Sequence, residues 1–340
     1  MDSLTHTVIG ACIGDAVAGK KMGKKAMLWG ALANNLPDID VVTSLWMSQA
    51  DSLLAHRGFT HSILFAVLAT PLLSWFFHRR FIRHNIPFND WLLLFGSNLF
   101  IHIGIDAFTA YGTAWFEPFS HDRVSMNLIF VADLLYTLPF LLVAIILMAI
   151  SKHHPRRVFW QRFAILLNLI YVGFALRNKI DVDQAARDAF KSQRITTVDY
   201  FTTPTPLNNF LWYIVGKTDE GYYLGYRSIL DECEVSPMHY VSRNDSLLIP
   251  YRDLHEVKQL IRFSEGFYSL SSMDSTVVLN DLRFGQTGGW YKPDAPFVFR
   301  YALSENANND LVIQRGRMEA GSSEAIRQLL KRISGCPTVQ

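Results

Sequence analysis

The sequence predicts an all-α bundle of about six transmembrane segments, followed by a smaller β-rich domain of α+β type outside the membrane. Three observations favour this fold class. Half of the 340 residues are hydrophobic, and the mean hydropathy of +0.13 is high for a soluble protein. The longest apolar segments lie within residues 1–176. Lysine and arginine crowd the loops 20–25, 78–84 and 151–157.

Six apolar segments are expected in the membrane domain, residues 1–176, and they cover 4–18, 26–46, 62–77, 91–108, 127–150 and 158–176. A bilayer core needs about 20 apolar residues per helix, and the fifth and sixth segments meet that length. The first and third are short, and Pro37 interrupts the second, so buried helices of a soluble helical domain are an alternative there. The uncharged stretch 134–150, followed at once by Lys152, favours a membrane.

The basic residues lie in the first, third and fifth loops, whereas the second and fourth loops carry only Arg57 and Arg123. Loops rich in lysine and arginine stay in the cytoplasm. This asymmetry predicts a multi-pass protein whose N-terminus, second loop, fourth loop and C-terminal region all lie outside.

Residues 177–200 are expected to form a helical connector, and residues 201–340 a β-rich extracytoplasmic domain. Strands are expected where β-branched and aromatic residues cluster between turn residues, at 211–215, 222–229, 247–251, 276–279, 297–303 and 311–314. Residues 201–209 are expected to be a loop and 323–333 a closing helix. Cys233 and Cys336 could pair if this domain lies in an oxidising compartment.

The net charge of +2 gives no indication of a nucleic-acid partner, and no recognition module is evident. The apolar segments make the lipid bilayer the expected partner. The oligomeric state stays open.

Histidines and aspartates that suit a metal fall at the outer ends of the apolar segments. His102 and Asp106 are four residues apart, so a helix stacks them on one face. If the chain after Pro37 is extended, Asp38 and Asp40 share a face and can point at one ion. The candidate metal ligands are His6, Asp38, Asp40, His56, His61, His102 and Asp106.

His56 and His61 are five residues apart, a spacing that does not place them on one helix face. Gly58 and Thr60 predict a turn and an N-cap between them, with His61 opening the third segment. Each candidate ligand also has an ordinary explanation as a cap, a turn residue or a hydrogen-bonded pair. Their shared depth in the predicted topology favours a metal site, since ionisable groups in membrane segments are costly and usually functional.

Mixed histidine and carboxylate ligands suit a divalent metal, with zinc favoured and manganese or iron as alternatives. One or two ions are expected, and seven candidate ligands favour two. Metal-activated water would then attack an ester or phosphoester bond. A carboxylate among Asp38, Asp40 and Asp133 would act as the base, and Arg57 would neutralise an anionic group of the substrate. The expected catalytic residues are therefore Asp38, Asp133 and Arg57.

Five motifs occur in order over residues 1–140: DSLTHTVIGACIG, NNLPDID, HRGFTHS, HIGIDAFTAYGT and FVADLLYT. Together they resemble the YdjM-type membrane-bound metal-dependent hydrolases, also described as LexA-binding, inner-membrane-associated hydrolases. This resemblance implies a bacterial inner membrane, with the metal site and the C-terminal domain on the periplasmic side. The family is distantly similar to the zinc-dependent phospholipase C and P1 nuclease group. That similarity implies that His102 and Asp106 are ligands and that the reaction is phosphoester hydrolysis.

The function predicted from these features is metal-dependent hydrolysis of a lipid-like or other amphiphilic ester or phosphoester at the membrane. Two alternatives use the same residues. One is a metal-ion transporter, and the other is a non-catalytic envelope protein whose helices a metal holds together.

Overall fold

The computed structural model describes residues 1–81, 86–233, 237–273, 276–303 and 323–335. The chain folds into two compact units. The first comprises Met1–Val42 and Ala55–Ala175, and the second comprises Thr43–Leu54 and Leu176–Gln340.

Helices build the first unit, and short polar side chains start several of them. The main helices are α1 (Ser3–Met22), α2 (Lys24–Asn34), α4 (Ile63–Arg80), α5 (Phe88–Asp106), α6 (Leu134–Ala149) and the beginning of α7 (Arg157–Ser192). Asp2 caps α1, Ser62 caps α4 and Asp133 caps α6, each by accepting hydrogen bonds from backbone N–H groups of the first turn. Two 3-10 turns, Pro37–Leu45 and Phe59–His61, lie between α2 and α4 along the chain. Helix α3 (Gln49–Ala55) lies between the turns, and all of it except Ala55 belongs to the second unit.

Close packing of α1 against α2 depends on glycine. A Cβ atom built on Gly30 would lie 2.0 Å from the carbonyl oxygen of Gly10, and one on Gly14 would lie 2.1 Å from that of Ala26. Backbone cannot move aside for such contacts, so these positions accept glycine alone. The close approach brings the first turn of α1 beside the end of α2.

The prediction of six membrane-spanning segments is wrong. Among the described residues, one helix, α7, is long and apolar enough to cross a membrane. The helical stretch Gln49–His61 and helix α4, with a bend of 56° between them, make a second candidate if they are counted as one broken span.

The apolar segments contain helices that are too short or too polar to span. A helix rises about 1.5 Å per residue, so crossing a hydrocarbon core of about 30 Å takes about 20 residues. Helix α2 has 11 residues, and α6 has 16 because its cap, Asp133, delays its start to Leu134. Helix α1 carries Asp15, and α5 carries the buried polar groups of Asn98 and His102. The apolar segments are longer than their helices because the turns and helix caps beside them also contain apolar residues.

The second unit holds two antiparallel sheets. The four-stranded sheet has the order β1 (Asp199–Pro204), β2 (Leu211–Lys217), β3 (Gly221–Ser228) and β4 (His239–Ser242). The three-stranded sheet has the order β5 (Tyr268–Met273), β6 (Thr276–Gln286) and β7 (Phe297–Leu303). The later part of α7 packs Ala186 and Phe190 against Trp212 and Ile214 of β2. Helices α8 (His255–Phe263) and α9 (Ser323–Ile333) complete the described part of this unit.

The strand predictions have mixed outcomes. Strands β2, β3, β6 and β7 overlap expected strands, and α9 matches the expected closing helix. The expected strand 247–251 is instead a 3-10 turn, Asp245–Tyr251, with Pro250 inside it. The expected loop 201–209 contains most of β1, whose Pro204 is tolerated because β1 is an edge strand. The expected strand 311–314 lies outside the described residues. Cys233 is disulfide-bonded, as the sequence allowed, and its expected partner, Cys336, lies outside the described residues.

Candidate metal centre

The last turn of α5 provides two side chains of the candidate centre. His102 and Asp106 lie on one face of the helix, as their spacing of four predicts, with His102 Nε2 3.4 Å from Asp106 Oδ2. Both side chains are fully buried. Burying a histidine and a carboxylate together costs free energy unless other polar or charged groups pair with them.

The 3-10 turn Pro37–Leu45 brings the two aspartates of NNLPDID to the same place. The turn replaces the extended backbone that the sequence led us to expect, yet Asp38 and Asp40 still converge on one histidine. Asp38 Oδ1 lies 3.3 Å from His61 Nε2, and Asp40 Oδ2 lies 3.2 Å from His61 Nδ1. His61 itself ends the 3-10 turn Phe59–His61, and Ser62 rather than Thr60 caps the following helix.

Four side chains, Asp38, His61, His102 and Asp106, form a group that we call the cage. One ligand atom from each lies within 4.8 Å of all the others. His61 Nε2 is 3.3 Å from Asp106 Oδ2 and 3.0 Å from His102 Nε2, and His102 Nε2 is 3.6 Å from Asp38 Oδ1. Ligands bound at 2.0–2.1 Å to a tetrahedral zinc would be about 3.3–3.4 Å apart. The spacing of the cage therefore fits one divalent ion.

His61 is surrounded by carboxylates. Asp40 Oδ2 accepts a hydrogen bond from Thr60 Oγ1 and lies beside His61 Nδ1, while His61 Nε2 faces Asp38 and Asp106. Burial alone would lower the pKa of His61, but hydrogen bonds to Asp106, Asp38 and Asp40 raise it to about 10, so His61 without a metal is charged at pH 7. A metal ion would take the place of the proton on Nε2. Asp40 takes the position of the carboxylate that orients a metal-bound histidine from behind.

His6 joins the group from the first turn of α1. Its ring stacks on that of His102 with centroids 3.8 Å apart. Its Nδ1 lies 3.0 Å from Asn34 Oδ1, and the Asn34 amide is oriented because its Nδ2 donates to Asn98 Oδ1. His6 Nε2 therefore faces Asp106 Oδ1, 3.1 Å away, and the N-terminal ammonium group of Met1 contacts the same oxygen.

His56 and Arg57 lie at the edge of the cage. His56 Nδ1 is 2.8 Å from Asp40 Oδ1, and His56, Asp38 and Asp40 form a second group whose ligand atoms lie within 4.8 Å of one another. Arg57 Nε lies 3.3 Å from Asp106 Oδ2, and its Nη1 donates to Thr109 Oγ1 at 2.7 Å. Arg57 is 3% exposed, so these contacts hold Asp106 in place from inside the protein.

Asp133 makes a different set of contacts. Its Oδ1 accepts hydrogen bonds from the N–H groups of Leu135 and Tyr136, and its Oδ2 accepts one from the Tyr171 hydroxyl at 2.6 Å. These bonds fix the start of α6. The expected catalytic role of Asp133 stays a prediction.

The electrostatics of the site keep its carboxylates ionised. Burial alone would raise the pKa of Asp38, but hydrogen bonds from His102 and His61 lower it below its ordinary value. The pKa of Asp40 is likewise lowered, because hydrogen bonds from His56 and His61 outweigh burial. Burial and the nearby His102 lower the pKa of His6 to about 4, so His6 is neutral at pH 7. The ionised carboxylates and the neutral His6 are in the forms that bind metal, whereas His61, whose pKa is raised to about 10, must lose a proton when an ion binds.

Two further features fit a bound ion. Asp106 Oδ2 and His102 Nδ1 are buried and make no hydrogen bond within the described part of the chain. Buried polar atoms usually have such partners, and Asp106 Oδ2 instead lies 3.3–3.4 Å from Arg57 Nε, His61 Nε2 and His102 Nε2. The cage is closed on most sides, because three of its members are fully buried, while Asp38 is 19% exposed. Solvent reaches the cage past Asp38.

Sequence reasoning placed all seven candidate ligands in one neighbourhood but missed the residues that hold them. Asn34 and Asn98 orient His6, Thr60 binds Asp40, and Tyr111 lies beside His56. Asn34 stands within NNLPDID and Thr60 within HRGFTH, so both motifs carried a signal. Asn98 lies in the apolar helix α5, and its polarity was the only indication in the sequence that it could have a role at the site.

Comparisons with known proteins agree with the motifs. A family model described as YdjM inner membrane protein matches residues 1–180. The inner membrane protein YbcI of Escherichia coli strain K12 is 34% identical over 122 residues, which cover 35% of this chain and 69% of YbcI. The uncharacterized protein YfhP of Bacillus subtilis strain 168 is 29% identical over 243 residues, which cover 66% of this chain and 68% of YfhP.

No solved structure matches the chain. The similarity to the phospholipase C and P1 nuclease group therefore stays a prediction. The family match covers more than half of the chain and includes every member of the cage. The chain belongs to the YdjM inner membrane protein family.

Proposed function

We propose that this protein is a metal-dependent hydrolase that acts at the inner membrane on an ester or phosphoester bond of an amphiphilic substrate. The observation that carries the proposal is the cage, in which two histidines and two carboxylates lie at the mutual distances of metal ligands. Membership of the family supports the inner-membrane location.

The residues of this chain have separable roles in the proposed reaction. A divalent ion, when bound, acts as a Lewis acid that polarises a phosphoryl or acyl oxygen and lowers the pKa of water. Asp40 orients His61, and Arg57 holds Asp106. Asp38, as the exposed member of the cage, lies where substrate and water enter.

Zinc suits the cage because it accepts a tetrahedral set of two nitrogen and two oxygen ligands, and manganese or iron are the alternatives. A second ion would use the group of Asp38, Asp40 and His56, and Asp38 would be shared by both ions. Two ions at such a shared carboxylate stabilise the attacking and leaving oxygens of a displacement reaction.

An amphiphilic substrate is supported by apolar side chains that lie exposed on the same segments as the ligands. Ile39 lies between Asp38 and Asp40, and Phe59 precedes His61 by two residues. Phe116 and Phe119 are exposed in the segment that follows α5. Apolar residues beside a polar cage suit a substrate with an acyl chain near its reacting bond.

A structural metal is the second candidate function. Four protein ligands are typical of structural zinc, whereas catalytic zinc keeps a position open. A structural ion in the cage would join the turn at Asp38, the turn at His61 and helix α5. This candidate predicts tight metal binding without turnover.

Purified protein in detergent should release product from a phosphodiester or a phospholipid when zinc or manganese is present. Chelation should abolish turnover, and returning the metal should restore it, because the ion supplies the Lewis acid. The measurement is a hydrolysis screen with metal analysis of the same samples by mass spectrometry. Stoichiometric metal together with absence of turnover across phosphomonoesters, phosphodiesters, phospholipids and carboxylic esters would favour the structural role.

We also propose that the cage faces the periplasm. Lys152 and Arg156 precede α7, and the positive-inside rule places that end of a span in the cytoplasm. A Cβ on Gly23, just after α1, would lie 3.6 Å from Lys152 Cδ, so the basic end of α1 is at the same level. His6 precedes Lys21 by 15 residues, which places it about 22 Å away along α1. The cage is therefore at the opposite end from the basic loops.

Cysteine labelling tests this orientation. The variants Asp219→Cys, in an exposed turn of the second unit, and Lys24→Cys, in the first basic loop, place one new thiol at each expected side. A membrane-impermeant maleimide should label the first variant on spheroplasts and the second only after lysis. The parent protein, with its native cysteines, measures the background. Labelling of Lys24→Cys on intact spheroplasts would reverse the proposed orientation.

A further inference from the structure

Tyr111 lies between two arginines at the edge of the metal centre. The guanidinium carbon of Arg57 is 4.9 Å from the centre of the Tyr111 ring, and that of Arg123 is 5.4 Å from it. The ring of His56 meets the same tyrosine edge-on at 5.3 Å. Both arginine distances are within the range of cation–π contacts.

This group is continuous with the cage. Arg57 contacts Asp106, and His56 contacts Asp40, the carboxylate behind His61. Arg123 Nη2 donates a hydrogen bond of 2.9 Å to the carbonyl oxygen of His56. The guanidinium of Arg123 is thus anchored to the backbone of the segment that carries His56.

The two arginines differ in how solvent reaches them. Arg57 is buried and engaged with Asp106 and Thr109, whereas Arg123 is partly exposed. His56 is 27% exposed, and Asp38, which belongs with it to the second group of candidate ligands, is 19% exposed. Arg123 therefore adds a partly exposed cationic residue beside this group.

The backbone around Arg123 is fixed before any ligand arrives. Thr113 and Val124 form an isolated antiparallel bridge, with two N–H···O bonds of 3.0 Å, and Ser125 Oγ donates to the Thr109 carbonyl at 2.8 Å. Gly112 has φ +72°, and a Cβ there would lie 2.9 Å from Arg123 Cβ. A side chain at position 112 would push Arg123 aside, so the turn holds the arginine in place.

We propose that Arg123 and Tyr111 form a subsite for the phosphate group of the substrate, beside the cage. The proposal rests on the proposed hydrolase function and narrows the substrate from esters in general to phosphoesters. A guanidinium presents paired N–H donors that match two non-bridging phosphate oxygens, and a carboxylic ester carries no such anionic group. Tyr111 keeps the guanidinium plane in position by stacking.

Phosphate binding measured by calorimetry tests the subsite on metal-loaded protein in detergent. The probes are inorganic phosphate and phosphatidate in micelles, which share the phosphate chemistry but differ in source. Arg123→Gln should weaken binding of both probes at least tenfold and leave the metal content unchanged. Arg123→Lys, which keeps the charge without the paired donors, should give an intermediate loss. Arg156→Gln, an exposed arginine in a basic loop, is the control and should bind as the parent does.

The outcomes separate the subsite from the hydrolase. Equal phosphate affinity in the parent and in Arg123→Gln, with both folded and metal-loaded, overturns the subsite and leaves the cage intact. A parent that binds neither probe also overturns it. Phosphate binding that depends on Arg123 in a protein that takes up no metal keeps the subsite and ends the hydrolase proposal. Tighter binding of phosphatidate than of inorganic phosphate supports the subsite and identifies a lipid as the source.

Discussion

Asp106→Asn should reduce bound metal from about one ion per chain to less than a tenth of that. Asp106 Oδ2 lies within 3.4 Å of His61 Nε2, His102 Nε2 and Arg57 Nε, so the carboxylate is the shared anion of the cage. Asparagine has a similar shape but no charge, and its amide N–H₂ would point donors at a cation. The histidine ligands that remain carry no negative charge, so they cannot replace the charge lost with Asp106.

The same substitution should also destabilise the protein. Arg57 would keep a buried guanidinium without its anionic partner, and removing one partner of a buried ion pair costs about 3–5 kcal/mol. Loss of the metal would add to that cost, because an ion that binds only the folded state stabilises it. The thermal midpoint should therefore fall, and added zinc should restore little of it.

Metal analysis by mass spectrometry and thermal unfolding in detergent measure both effects. Asp133→Asn is the matched control, since Asp133 is also a fully buried aspartate of the first unit. Its contacts are with Tyr171 and the start of α6, and asparagine caps helices nearly as well as aspartate. It should retain the metal. Full metal occupancy in Asp106→Asn would contradict the role of Asp106 in the cage.

The sequence predicted the meeting of the ligands better than it predicted the backbone that carries them. His102 and Asp106 are stacked because their spacing matches the helical repeat, which is a local property. Asp38 and Asp40 converge on His61 through a 3-10 turn, although an extended stretch of backbone was expected. Both conformations can place the two carboxylates near one another, so the sequence did not distinguish them.

The membrane topology was predicted less well because hydropathy carries no information about where helices stop. The apolar segment 127–150 spans enough residues for a membrane helix, but Asp133 caps the helix and leaves 16 residues in it. The roles of Arg123 and Tyr111 were not predictable either. They depend on the bridge between Thr113 and Val124, which brings the two ends of a long connection together.

Asp15 is the acidic residue within an otherwise apolar stretch of α1, and the structure gives it a specific partner. Arg157, at the start of α7, contacts Asp15 through Nη2 and through Nε at 3.3 Å, and Gln161 Nε2 donates to Asp15 at 2.6 Å. Arg157 Nη1 also donates to the carbonyl oxygens of Leu147 and Ile150 at the end of α6. One buried arginine therefore joins three helices.

Asp15→Ala should destabilise the protein by about 3–5 kcal/mol, because it leaves the buried charge of Arg157 without its anionic partner. Arg157→Leu should cost at least as much, since the carbonyl groups of α6 lose their donor as well. The double variant Asp15→Ala with Arg157→Leu should cost less than the sum of the single changes. Replacing both members of a buried pair by apolar residues removes the unpaired charge.

Chemical unfolding in detergent, combined in a double-mutant cycle, measures this coupling, and metal content is read on the same samples. A coupling near zero would show that the pair does not stabilise the fold. Asp15 lies nine residues after His6 along α1, about 13 Å by helical rise, so folded Asp15→Ala protein should keep its metal. In a transporter the ion would pass Asp15 as well as the cage, and the same variant would then change metal uptake into vesicles. Retained metal with lowered stability would instead show that the two buried networks of the first unit have separate tasks, one holding the helices together and the other holding the ion.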